Sequence, residues 1–328
     1  MNRIRSSRSL LVSWSILILV FVSVPWASAQ QKGLEFARAA YPSPNIQYLA
    51  AYVADQKGFY KAEGLEMELI SMRGAKEAVQ ALIGGQIQFI MTIGPQMPAI
   101  WEGIDIKLVA QQVGLPTFSL MVRKDITKVE ELKGKKLGVS FGGSTYSGLK
   151  LVLEKFKLNP EKDVEYVNIP GSGPKVAAMQ QGLIVGSLLA PPADYMALKA
   201  GFKRLLYLGD VEKDTAFTGV ATSGKLIKEN PDLVLRMVRA TVKSVNYTRD
   251  NPGDAIAVMI KSLRMDRDAA TQTYNLVRSS FNPVPTVEGV ERMALWQALA
   301  VGVKPKKAAA EYMDLHFLNQ VLDEIKKK

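Results

Sequence analysis

Between Ser140 and Thr145 the chain reads Ser-Phe-Gly-Gly-Ser-Thr. Gly142 and Gly143 let the backbone come close to a ligand. Ser144 and Thr145 add hydroxyls where the downstream pattern predicts a helix N-terminus, an end carrying about +0.5 charge. This combination suits holding an anion. It is not a nucleotide fingerprint, because both G-x-G-x-x-G and a Walker lysine are missing. Three more turns fall between a predicted strand and a predicted helix. Tyr41-Pro42-Ser43-Pro44-Asn45 offers a phenol, with Asn45 placed as an N-cap. Ser71-Met72-Arg73-Gly74 sets Arg73 where a guanidinium can clamp a carboxylate or sulfonate through two N–H bonds. In Thr92-Ile93-Gly94-Pro95, Gly94 permits a turn that aims N–H groups outward, Pro95 suits a first helical position, and the Thr92 hydroxyl can donate to an anion. Pro170-Gly171-Ser172-Gly173 is a second, weaker nest. Each turn also has a purely structural use, as a cap, a surface arginine or an ordinary strand–helix connection.

Composition narrows the remaining chemistry. The 328 residues include no cysteine and one histidine, His316. Disulfides, cysteine-based zinc sites, cysteine nucleophiles and iron–sulfur clusters are therefore excluded. A Ser-His-Asp triad would need His316, which lies among Leu315, Phe317 and Leu318 and reads as an incidental helix residue. No metal site and no cofactor is expected. With 48% apolar and 22% charged residues the chain has an ordinary globular balance.

The first thirty residues read as an address. Arg3, Arg5 and Arg8 precede an apolar run over 10–24, followed by Pro25-Trp26-Ala27-Ser28-Ala29. A basic start, a short apolar stretch and small residues at an A-x-A site predict a secretory signal peptide, 1–29, cleaved after Ala29. The alternative, a membrane anchor, needs about 20 apolar residues, more than this run supplies. Removing the three arginines leaves 39 basic against 31 acidic residues, a net +8. These charges are spread along the chain, with short runs only at Lys304 to Lys307 and Lys326 to Lys328. No basic and aromatic interleaving predicts a nucleic-acid groove. The balance favours small anions.

The turns need a scaffold to bring them together. From residue 33 apolar strands alternate with helical patterns. Strands are expected at Phe36 to Tyr41, at Leu65 to Leu69, at Ile87 to Thr92 and at Ile106 to Gln111, with helices between them. That order implies mostly parallel strands with right-handed crossovers. A second α/β unit begins near Lys124. Thr127-x-x-Glu130 has capping-box spacing there. Ser144 to Phe156, Lys175 to Gln181 and Pro192 to Ala200 read as helices between strands at Lys136 to Ser140, Val164 to Ile169, Ile184 to Leu189 and Leu205 to Leu208. Val220 to Thr222 reads as a strand leading back. The rest is helical and is expected to cover the first sheet. The expected division is 30–121 with 222–328 as one domain and 122–221 as the other. Crossings near Phe118 to Arg123 and Phe217 to Thr222 would form a two-segment hinge.

Four stretches carry a family likeness. Tyr52 to Leu65 (YVADQKGFYKAEGL) resembles A-x-x-x-G-F/Y-F-x-x-x-G-L-x-V. Ala78 to Phe89 (AVQALIGGQIQF) resembles A-L-x-x-G-x-I-D-F/I. Glu131 to Val139 (ELKGKKLGV) resembles D-L-K-G-K-K-V-G-V, and the Gly142-Gly143-Ser144-Thr145 turn follows in place. In order and spacing these resemble the periplasmic substrate-binding proteins of ABC importers, SsuA/THI5-like or NMT1-like, the branch for sulfonates, taurine, nitrate and thiamine-precursor pyrimidines. The likeness covers roughly residues 36 to 250. It departs at Gln88, where the family has Asp, at Gly186-Ser187, where Asp-Ala is common, and at Pro191-Pro192, which replaces Glu-Pro.

The resemblance implies a type II periplasmic binding fold, with the ligand between two α/β domains. The Tyr41–Asn45, Thr92–Pro95 and Ser140–Thr145 turns and the segment after Leu189 would touch it, which carries over to Pro191 and Pro192 by position. Phe118 and Phe141 could stack on an apolar ligand body. The implied function is an extracytoplasmic, monomeric, non-enzymatic receptor in the periplasm. It would capture a small anion such as a sulfonate or carboxylate and dock transiently on an ABC permease and ATPase complex. The alternatives are a ligand-sensing subunit for a membrane receptor and an enzyme of the thiamine-pyrimidine type on the same fold. The absence of cysteine and the export signal weigh against the enzyme.

Overall fold

The structure, a computed structural model, describes residues 33–72 and 74–327. The expected signal segment and Arg73 lie outside the described residues. In chain order the described residues form β1 (Glu35–Tyr41), β2 (Leu65–Ser71), β3 (Phe89–Ile90), β4 (Ile106–Val113), β5 (Ser119–Val122), β6 (Lys136–Val139), β7 (Glu165–Asn168), β8 (Gly186–Leu189), β9 (Lys203–Tyr207) and β10 (Thr218–Ser223).

These strands make two five-stranded sheets, ordered β2-β1-β3-β10-β4 and β7-β6-β8-β5-β9. The sheets share one plan. In the first, β1 pairs in parallel with β2 and β3, and β10 runs antiparallel between β3 and β4. In the second, β6 pairs in parallel with β7 and β8, and β5 runs antiparallel between β8 and β9. Parallel neighbours follow from the βαβ crossovers. Each antiparallel strand arrives from the other half of the chain, so residues 114–118 and 208–217 carry the backbone between the sheets. The boundaries expected at 121/122 and 221/222 fall inside β5 and β10.

Local sequence explains the layers. Ala37, Ala39 and Ala40 are buried in β1, where small side chains let helices pack closely. On β2 the outer Glu66 and Glu68 alternate with inward Leu65, Met67 and Leu69, as suits an edge strand. Gln88, the departure from the family's Asp, accepts the Arg38 N–H at 2.8 Å and donates to the Gly85 carbonyl at 3.1 Å, bracing the turn before β3.

Two expectations change. The capping spacing at Thr127 works one residue later: Glu131, not Glu130, accepts the Thr127 N–H at 2.6 Å, because the short 3-10 helix starts at Val129 with Lys128 as its cap. The C-terminal helices also do not all cover the first sheet. Helix Pro231–Asp250 packs on helix Leu49–Gln56 and β4, as expected, but helix Val287–Val301 packs on helix Ser144–Lys155 of the second half. Gly148 permits that approach: a Cβ there would sit 3.6 Å from the Trp296 ring and 3.2 Å from Leu188. Lys150, buried on the same helix, donates to the carbonyls of Leu299 and Ala300 and pairs with Glu161 at 2.6 Å.

Candidate functional site

A cavity of about 730 Å³ lies at the carboxyl ends of the parallel strands of both sheets, the place where open α/β sheets bind ligands. From the second sheet it is lined by 140–145 and by Pro170, Gly171, Ser172 and Lys175. Two helices begin there, Ser144–Lys155 and Ser172–Gln180. Their N-caps are Gly143 and Gly171, and neither has a side-chain cap. The Ser144, Thr145, Ser172 and Gly173 amides have no acceptor among the described residues. Gly142 and Gly171 take φ of 71° and 90°, a left-handed backbone open chiefly to glycine. The Phe141 N–H donates to Asn168 Oδ1 at 3.1 Å, which ties the turn to the end of β7.

Lys175 gives this wall its charge. It is 1% exposed, and its ammonium donates to Thr145 Oγ1 at 3.1 Å. No carboxylate pairs with it among the described residues. Burial alone pushes its pKa down to about 8. Thr145 Oγ1 also accepts the Ser140 N–H at 3.2 Å. Both lone pairs of that oxygen are used, so its proton is free to donate.

At its buried positions the first-sheet wall is neutral and aromatic. The Tyr41 ring lies 5.2 Å from that of Tyr48, and Tyr48 lines the cavity fully buried. Burial pushes the Tyr48 pKa far up, so the phenol stays protonated. Gln47 lines the same wall, and its buried Nε2 has no hydrogen-bond partner among the described residues. A buried donor without a partner costs free energy until a ligand accepts from it. Val79, Ile83, Ile90 and Ala99 supply apolar surface.

Of the residues singled out from sequence, Tyr41, Pro42, Asn45, Gly74, Thr92, Ser140, Gly143, Ser144 and Thr145 line this cavity. Their capacities differ. Asn45 is engaged on both sides, accepting the Gln47 N–H at 2.8 Å and donating to the Ser43 carbonyl at 3.0 Å. The Thr92 hydroxyl donates to Gln96 Oε1 at 2.8 Å, so its proton is not offered outward. Gly74 caps helix Ala75–Ile83, but the Glu77 carboxylate folds over it, and this acid already occupies the helix end.

Gly94 does not line the cavity. It gives room to helix Val287–Val301, since a Cβ would lie 2.6 Å from Met293 Sδ. Pro191 lines it no more than Gly94 does: its carbonyl accepts the Ile46 N–H at 3.1 Å, joining the two halves. Pro192 lines an adjoining pocket of about 300 Å³ that shares Ser43, Asn45, Gly171 and Ser172 with the main cavity. Phe141 is 55% exposed at the rim, edge-on to Tyr146 at 5.1 Å, whereas Phe118 is buried edge-on to Phe217 at 5.2 Å and still reaches the cavity. His316 pairs with Asp314 on the surface. Lys175, Gln47, Tyr48 and Gln96 were not singled out from sequence. The only signal was the Pro-Gly-Ser-Gly nest, which marks the helix start but not the lysine inside it.

The described residues hold no cluster of three or more metal-ligating side chains. No described helix is long and apolar enough to cross a membrane.

Known proteins resemble this chain in sequence and fold. A protein of Bacillus subtilis (strain 168) named as a binding protein, YtlA, is 24% identical over 288 residues, covering 83% of this chain and 84% of its own. The periplasmic aliphatic sulphonate binding protein SsuA of Escherichia coli superposes with a TM-score of 0.71 at 18% identity, over 85% of this chain and 92% of that one. The desulfurization enzyme DSZB superposes at 0.65 and 18%, over 90% and 100%. These solved structures establish the periplasmic binding protein fold. The model of the family described as "NMT1/THI5 like" matches residues 45–255, more than half of the chain, and the protein belongs to that family.

Proposed function

We propose that the protein is an extracytoplasmic receptor that captures a small anion in the cleft between its sheets and delivers it to an ABC-type membrane permease. The observation that carries this reading is the buried Lys175 ammonium, which lines a cavity together with the Thr145 hydroxyl and the Ser144, Thr145 and Ser172 amides, unpaired among the described residues. An unpaired buried charge costs stability, and a ligand that neutralises it on binding gives that cost a purpose. The family membership and the likeness to a sulphonate binding protein support the same conclusion. In this reading the lobes, 30–121 with 222–328 and 122–221, close about the crossings at 114–118 and 208–217. The leader over 1–29 is removed on export to the periplasm, and the receptor works as a monomer.

A turnover reading has one observation behind it, the similarity to DSZB. One experiment separates the two. The purified chain is incubated with sulfonates, carboxylates, nitrate and pyrimidines. Thermal unfolding reports binding, and mass spectrometry follows each solute. A selective rise in the midpoint with the solute recovered intact is expected, since a ligand at 100 times its Kd adds about 2.7 kcal/mol. Multiple turnover of any solute would replace the receptor with an enzyme. A panel that leaves the midpoint unmoved would remove the anion from the proposal.

A further inference from the structure

Two properties of the cavity limit the solute more narrowly than its charge. The first is size. About 730 Å³ falls among pockets that bury drug-sized ligands, roughly 300–1,000 Å³. A two-carbon sulfonate would leave most of it to water. The second is how polarity is distributed. Among the described residues the lining includes four charged side chains, Lys76, Glu77, Glu102 and Lys175, and the first three are exposed. Water screens them. Among the described residues Lys175 is the one buried charge in the lining, and it stands on the second-sheet wall with Thr145 and the starts of two helices. Tyr41, Tyr48, Val79, Ile83 and Ile90 line the cavity from the half built on the first sheet, and Phe141 stands exposed at the rim.

We propose that Lys175 anchors the single anionic group of a solute with a ring-sized apolar body, an aromatic or alicyclic carboxylate or sulfonate rather than a small aliphatic sulfonate or a zwitterion. This inference rests on the receptor reading and deepens it. The ammonium has two N–H groups beyond the one bonded to Thr145, enough for one carboxylate or sulfonate. The Thr145 proton and the Ser144 and Ser172 amides complete the head site. A second charge on the body would sit against tyrosine faces and aliphatic side chains with no buried partner among the described residues, which disfavours zwitterions. The apolar body is held by area and ring contacts, including the exposed Phe141.

The test uses the full chain and five probes: 2-naphthoate, naphthalene-2-sulfonate, 2-naphthalenemethanol, ethanesulfonate and taurine. Calorimetry should find both naphthyl anions bound, with the neutral alcohol and both small sulfonates at least about tenfold weaker. Lys175→Met should weaken the naphthyl anions by about tenfold to a hundredfold and raise the unfolding midpoint of the unliganded chain, because a buried charge is removed. A lysine that merely held the fold would lower that midpoint, so a lowered midpoint or an unchanged affinity overturns the proposal. Thr145→Val provides a second variant, in which a severalfold loss for anions alone is expected and an equal loss for the alcohol counts against it. Ethanesulfonate or taurine binding as tightly as the naphthyl anions overturns the ring-sized body but leaves the receptor reading standing. Tight binding of the neutral alcohol alone does the same to the anionic head. A chain that binds none of the five overturns this inference, while the wider solute panel decides the receptor.

Discussion

The Lys175 ammonium and the Thr145 hydroxyl meet at 3.1 Å across the starts of two different helices. The same oxygen accepts the Ser140 N–H at the end of β6. One hydroxyl therefore fixes a strand end, two helix starts and a buried cation relative to one another. Nothing in this arrangement neutralises the cation.

Stability should record that imbalance. With its pKa lowered by burial to about 8 in the folded chain from the ordinary lysine value of 10.5, Lys175 binds fewer protons folded than unfolded between about pH 8 and 10.5. Stability therefore rises with pH in that window. Below pH 8 both states are protonated, and the full cost of burying the charge is present, on the order of 3 kcal/mol. Lys175→Met should be more stable than the parent at pH 7, and the gap should shrink by pH 9.5. Urea unfolding of both chains at pH 7, 8.5 and 9.5 checks this. A gap that stays constant across the window would mean that Lys175 does not titrate there.

Anion binding should carry the opposite pH signature. A bound carboxylate or sulfonate favours the ammonium form and raises its pKa. At pH 8.5 the unliganded lysine is partly neutral, so binding takes up a fraction of a proton, and affinity declines as pH rises above 8. Calorimetry in two buffers of different ionisation enthalpy gives the uptake directly. Identical heats in both buffers would contradict a head group seated on Lys175.

Two threonines on opposite walls should behave differently. The Thr145 proton is free to reach a ligand, whereas the Thr92 proton is committed to Gln96 Oε1 at 2.8 Å. Thr145→Val should cost anion affinity about fivefold to tenfold. Thr92→Val should instead leave Gln96 without its donor, lowering stability by about 1 kcal/mol with little change in affinity. Paired calorimetry and thermal unfolding separate the two effects. A Thr92→Val variant that loses affinity but not stability would reverse the assignment.

Legibility from sequence followed how local each feature is. The strands and helices of both α/β units could be read because period and turn residues sit beside one another in the chain. The Gly142-Gly143-Ser144-Thr145 turn could be read for the same reason. Neither Gly94 nor Lys175 could. Gly94 looks like a backbone donor turn until Met293, about two hundred residues later, packs against it. Lys175 looks like a surface lysine in an exposed helix until β6 and the Ser144 helix close over it. The Thr127 spacing failed by one residue because helix starts shift by a residue without changing the composition. Gln47 and Tyr48 were hidden behind Asn45, whose capping role accounted for the whole segment.

Away from the cleft, Glu63 holds helix Phe59–Ala62 to the C-terminal helices. Its carboxylate is 8% exposed and meets Arg239 at 3.1 Å and Lys243 at 2.5 Å. Arg239 also makes a two-point contact with Glu324. Glu63→Ala leaves one cation without its partner and should lower stability by about 1.5–3 kcal/mol, a midpoint loss of several degrees. Ligand affinity should not change. Loss of affinity alongside stability would show that this face is coupled to the cleft.

Lys199 and Asp266 test whether the halves close in the observed arrangement. Lys199 lies on helix Ala193–Lys199, beyond β8, and pairs at 2.7 Å with Asp266, which caps helix Arg267–Val277 in the C-terminal segment. Opening the cleft would separate them along with the Ile46 N–H and the Pro191 carbonyl. Asp266 is the wrong residue to change, because it also accepts the Ala269 N–H at 2.8 Å and its loss would remove that cap. Lys199→Ala removes the pair and leaves the cap. Both side chains are largely exposed, so the effect should be small: a twofold to fivefold loss of solute affinity at 50 mM salt, vanishing near 0.5 M, where screening removes such pairs. The unliganded midpoint should hardly move. An affinity that is unchanged at low salt would mean that the pair forms equally in open and closed states, so that closure must be driven by the cleft contacts alone.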